Sequence, residues 1–130
     1  MFAMNQLPAV NFGFPDVCNT ETGSGSAPVP YPNTAVESTG FPFVPHVIVG
    51  IAPVHNLATM MPPSQGDLPG HSGVASGTVL GPGNTFVNAQ TTLMGSLPTK
   101  RVTSFGVSNT TNNPTAAMTP NQLTVSILSL

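Results

Sequence analysis

Residues 66–101 read GDLPGHSGVASGTVLGPGNTFVNAQTTLMGSLPTKR. Two short β patterns sit in this stretch, Gly73–Leu80 and Thr85–Ala89, each bounded by Gly, Pro or Asn. Gly66-Asp67 opens it and His71-Ser72-Gly73 follows. Ser76-Gly77 marks a turn, Val87-Asn88-Ala89 a hairpin, and Pro98-Thr99-Lys100-Arg101 closes the run. No helical period runs through it. The stretch predicts short strands joined by tight turns, and the rest of the chain agrees. Pro is 15 and Gly is 13 of 130 residues, and both interrupt helices. A hydrophobic content of 39% with a net charge of −2 argues for a packed chain rather than a disordered one. The length fits one domain, residues 1–130, with room for one small core.

Outward from the centre, Val102 to Val107 continues as a strand and Ser108 to Pro120 is a polar loop. Leu123 to Leu130 begins with the alternation of a half-buried strand. Toward the N-terminus, Pro42 to Ile51 reads as a buried strand carrying His46. Val54 to Met61 has apolar residues at helical spacing, and flanking prolines limit it to a short helix or a loop. Pro28, Pro30 and Pro32 alternate with other residues, which fixes an extended edge or strut and excludes a central strand. Gly23-Ser24-Gly25-Ser26 is a turn, and Met1 to Phe14 is a tail or a first edge strand.

Charge excludes whole function classes. Charged residues are 5% of the chain, against about 25% in ordinary soluble domains. Lys100 and Arg101 are the two basic residues, so no footprint for nucleic acid or anionic lipid exists. So uncharged a surface predicts cover by a partner. The longest apolar stretch, Val47 to Val54, falls far short of the roughly 20 residues that span a bilayer. No secretory signal is visible, because the first basic residue is Lys100, so synthesis in the cytoplasm is expected. One cysteine excludes an intramolecular disulfide.

Cys18, His46, His55 and His71 are all the Cys and His of the chain. One thiolate and three imidazoles make a complete tetrahedral zinc set. Their gaps are long and no CxxC or HxxxH pair is present, so on the inventory alone four unrelated residues is the simpler reading. A Cys–His nucleophile pair has no electropositive setting to lower the thiol pKa. Asp16 and Asp67 stand in turn contexts, where Asp usually shapes the turn rather than working as a catalytic pair. The glycine-rich turns precede no helix and carry no Lys-Ser/Thr, so they bind no phosphate in the P-loop manner.

The order Gly66-Asp67, His71-Ser72-Gly73, Ser76-Gly77, Val87-Asn88-Ala89, Pro98-Thr99-Lys100-Arg101 resembles the PAAR-repeat proteins, which cap the spikes of bacterial contractile injection systems. Asp16-Val17-Cys18, followed by Pro28-Val29-Pro30-Tyr31-Pro32-Asn33, resembles the N-terminal part of a PAAR-like subfamily found in type VI secretion. The resemblance implies an all-β, conical domain with pseudo-threefold short strands, one per trimeric β-helical spike. It implies a structural role, sharpening the needle for membrane puncture and effector delivery, and no enzyme activity. It implies zinc at the vertex through His and Cys ligands, with Cys18 and His71 at the matching places, and His46 and His55 complete the set from the inventory alone. It further implies export on the spike to the extracellular space or a target cell, contact with effector or adaptor proteins, and transient contact with the target membrane. A phage or tailocin baseplate tip, or a small metal-dependent toxin, are the alternatives.

Overall fold

The computed structural model describes residues 1–128. The chain forms β1 (Val10–Thr22), β2 (Gly25–Val36), a 3-10 turn (Glu37–Thr39), β3 (Val44–Val49), β4 (Ala52–Val54), β5 (Met60–Met61), β6 (Ser72–Gly73), β7 (Gly83–Val87), β8 (Ala89–Met94), β9 (Leu97–Thr99), β10 (Phe105–Ser108) and β11 (Asn113–Ala117). The fold is all-β, with no α-helix among the described residues. One sheet runs β2-β1-β11-β10-β7-β5, and β6 pairs with the distal part of β1. Two hairpins, β3-β4 and β8-β9, stand beside it. Every pairing is antiparallel.

β1 and β2 form a long hairpin that turns at Gly23-Ser24. β2 is the edge, as its prolines require, and Pro28, Pro30 and Pro32 are all exposed. β1 is not an edge strand. It has β2 on one side and, on the other, β11 at Asn11–Gly13 and β6 at Cys18–Asn19. The register shifts between Gly13 and Asp16, where β1 passes from one partner to the other. Residues 1–7 are no tail either: Ala3, Met4 and Asn5 are fully buried, and Ala3 and Asn5 bridge to Arg101 and Val54.

The stretch that predicted the fold holds strands at shifted positions. Residues 74–80 are turn and bend, and the strands are the short β6 with β7, β8 and β9. From Met61 to Gly73 every third residue is buried: Met61, Ser64, Asp67, Gly70 and Gly73. That period belongs to neither strand nor α-helix. This strap crosses β1, and a Cβ on Gly70 would lie 2.5 Å from Cys18 Cβ, so only glycine fits. Of the short helix or loop expected over 54–61, the structure has the loop, since Val54 ends β4 and Met60 begins β5. The polar loop after Ser108 contains β11, which lies between β1 and β10. Pro114 is tolerated there because β1 pairs only with Thr115–Ala117. Of the predicted C-terminal strand, Ser126 bridges Phe2 and Ile127 is buried, while residues 129–130 lie outside the described residues.

The interior holds more polar side chains than hydrophobic ones. One apolar cluster gathers Ala3, Val44, Val49, Val54, Ala89 and Ile127, and a smaller one Met4, Ala9 and Ala117. Buried asparagines satisfy backbone carbonyls at the ends of the hairpin strands β3 and β8. Asn5 Nδ2 donates to Val49 O at 2.7 Å and Asn56 Nδ2 to Met94 O at 3.0 Å.

Candidate metal centre

Asp16 and Cys18 lie two residues apart on β1, so both side chains face inward. The strap brings Asp67 against them. It is fixed by His71 N–H to Asn19 O at 2.8 Å and Val74 N–H to Val17 O at 2.9 Å. The ligand atoms of Asp16, Cys18 and Asp67 lie within 4.8 Å of one another, and all three residues are fully buried. Cys18 Sγ is 3.5 Å from Asp16 Oδ1 and 3.6 Å from Asp67 Oδ2.

Amides frame the group. Asn109 Nδ2 donates to Asp67 Oδ2 at 2.6 Å and to Asp16 Oδ1 at 3.2 Å. Its Oδ1 accepts from Gly81 N–H and Thr78 Oγ1, both at 3.0 Å, which fixes the amide's orientation. Asn112 Nδ2 donates to Asp16 Oδ1, and Asn33 Nδ2 to Asp16 Oδ2. Among the described residues no ion pair reaches either aspartate.

The electrostatics follow from that composition. Burial pushes the Cys18 thiol up to about 12, and the charges of Asp16 and Asp67 add to the rise. Burial, then the neighbouring Asp16 charge, raises Asp67 above the usual carboxylate range. The group is therefore a buried anionic site with no basic counter-charge. It retains protons or takes a cation in their place, and its sulfur and oxygens can hold a metal ion.

The four residues that the sequence marked as zinc ligands do not converge. Cys18 is in the group just described, and no histidine joins it. His46 is exposed on β3. His71 is half exposed, with Nδ1 4.0 Å from Glu21 Oε1 and Nε2 3.5 Å from Ser26 Oγ. His55 is fully buried elsewhere, and both its ring nitrogens are engaged, Nδ1 with Glu37 Oε2 and Nε2 with Gln6 Oε1, each at 2.6 Å. The aspartates read as turn formers are the residues that lie beside Cys18. The Asp-x-Cys alternation on one strand was the signal for Asp16. Asp67 stood in the Gly66-Asp67 motif, but nothing tied it to its partners, which lie 49 and 51 positions away in sequence.

A second buried charged group surrounds His55. Glu37 Oε1 is 2.6 Å from Lys100 Nζ, and both side chains are fully buried. Asn11 Nδ2 donates to the same oxygen. Burial alone would raise the Glu37 carboxyl, but the Lys100 charge, helped by His55, holds it down at about 2. Burial lowers the Lys100 pKa, and Glu37 opposes that fall.

A family model described as Toxin PAAR-like domain matches residues 9–115. Searches of the curated proteins and of the solved structures find no match. The matched span contains β1 to β10, both buried charged groups and most of β11. With that span and this all-β architecture, the chain belongs to the PAAR-like family.

Proposed function

We propose that this domain is the tip of a contractile injection machine of the type VI kind, seated as one copy on a trimeric spike. Family membership over residues 9–115 carries the reading. The surface supports it. Phe12, Ala116, Phe105 and Val87 stand in register across four strands of the main sheet. Phe12, Phe105 and Val87 are exposed, and Phe86 meets Phe105 edge to face at 5.9 Å. An apolar row on a chain with 5% charged residues fits a face covered in the working state. On this reading the protein is made in the cytoplasm, leaves on the spike, and carries effector or adaptor proteins through a target membrane. Its role is structural: the raised thiol of Cys18 is a poor nucleophile.

The resident metal on this reading is zinc. One sulfur and two carboxylates suit zinc better than the hard cations, which prefer oxygen alone. Asp16, Cys18 and Asp67 would hold it. The amides of Asn109 and Asn112 present nitrogens, which do not ligate, so a fourth ligand would come from solvent. Bound there, zinc ties β1 to the 62–71 strap.

Co-expression with a trimeric spike protein tests the assignment. One copy should elute per three spike chains, and Phe105→Asp should weaken that complex while the isolated domain stays folded. A three-to-three complex contradicts the tip role.

A further inference from the structure

The group around Glu37 has more than a structural arrangement. Lys100 and Asn11 side chains meet on one oxygen, Glu37 Oε1, and all three residues are fully buried. Lys100 Nζ has Met61 Sδ at 3.2 Å beside it, a soft and weak acceptor. Asn11 Oδ1 is buried and has no hydrogen-bond partner. An amine, a carboxamide and a carboxyl shuttle are thus enclosed together, away from water.

The geometry points to an autocatalytic isopeptide bond between Lys100 Nζ and Asn11 Cγ, with Glu37 as the proton carrier. The balance is simple. Glu37 takes a proton from the Lys100 ammonium, leaving a neutral amine and a carboxylic acid. The transfer is uphill from the resting ion pair, and the low polarity of the enclosure lessens its cost. The Asn11 amide turns over, losing at its nitrogen the bond to Glu37 and a long one of 3.5 Å to Ala35 O. Its oxygen then accepts from the Glu37 O–H, which polarises the carbonyl. Nζ attacks Cγ, and Glu37 passes a proton from Nζ to Nδ2. The Cγ–Nδ2 bond breaks, ammonia leaves and takes up the remaining proton, and Glu37 is again a carboxylate. No oxidant, metal or cofactor enters. The reaction occurs once per molecule, so a slow step is sufficient, and enclosure supplies the effective concentration.

The product would brace β1 covalently to the segment after β9, closing a long loop of chain. Its chemistry does not depend on the tip role proposed above. Intact mass under denaturing conditions is the test, on the full chain purified folded and held at neutral pH. The mass should be lower than the sequence mass by one ammonia, and a digest should yield a branched peptide joining Asn11 to Lys100. Lys100→Met and Glu37→Gln should keep the full mass. Asn11→Asp should lose one water instead, since a carboxyl condenses with the same amine. The wild type should also melt at a higher temperature than Lys100→Met. Folded wild type at full mass overturns the inference. So does ammonia loss that persists in Lys100→Met, because that assigns it to a succinimide.

Discussion

Replacing Asp67 by Asn separates the stability of the buried anionic group from its capacity for metal. Asp16 and Asp67 oxygens lie within 4.8 Å. Two unit charges at that distance repel by about 3 kcal/mol at an effective dielectric constant near 20. Asn109, which donates to both carboxylates, offsets part of this, and an amide at position 67 can still accept its bond. In chelator at neutral pH, Asp67→Asn should therefore stabilise the domain by about 1 kcal/mol, roughly 4 °C in Tm. The pH dependence has a fixed sign. The Asp67 pKa is raised in the folded state, so the folded protein binds more protons than the unfolded one between the two values. Wild-type stability then falls as pH rises through that window. The advantage of Asp67→Asn should vanish in acid, where Asp67 is already neutral. With zinc added the order should reverse, because a ligand has been lost. Thermal melts of both proteins across pH, with chelator and with zinc, read all of this. A metal-free Asp67→Asn that is less stable at neutral pH, or whose gain persists in acid, refutes the account.

Gly13→Ala should destabilise by about 3 kcal/mol, since its Cβ would sit 2.2 Å from Asn113 Nδ2 and 2.3 Å from Pro114 O on β11. Gly23→Ala, with nothing within 4 Å, should stay within about 0.5 kcal/mol in urea titrations. The Cys18 thiol should resist alkylation in the native protein and react on unfolding, as burial and a pKa of about 12 require. Metal analysis of purified protein should find about one zinc per chain, lost in Cys18→Ser and kept in His46→Ala and His71→Ala. Loss in His71→Ala would return the site to the Cys and His set.

The all-β class was legible because Pro and Gly punctuate the chain and apolar runs are short. The edge position of β2 followed from three prolines. β11 was hidden because Asn113 and Pro114 are poor strand formers and the segment carries no large apolar residue, so its burial at Asn113 and Thr115 comes from neighbouring strands. Cys18 could be marked by its chemistry. Asp67 was marked only by its Gly66-Asp67 motif, and nothing local distinguishes a turn aspartate from one carried across β1 by a strap. The distance of His55 from Cys18 was hidden for a related reason. His55 is consumed by Glu37, and Glu37 carried no sequence signal of burial.

The prolines of β2 leave that flank of the sheet chemically one-sided. In an antiparallel ladder a residue's N–H and C=O point to the same side. Pro28, Pro30 and Pro32 have no N–H to give, so Ala27, Val29 and Tyr31 must serve β1. Thr34, in step with the prolines, does face away, and exchanges both bonds with Gln65 at 2.7 Å. At residues 28 to 30 the outer border therefore offers carbonyl oxygens and no donors, while Gly66 packs against the carbonyl of Pro32. Another strand cannot zip onto it, whether from a second copy or from a fibril. A molecule that binds this border has to bring its own donors, as hydroxyl, amide or guanidinium groups, and its orientation would be set by side chains rather than by backbone.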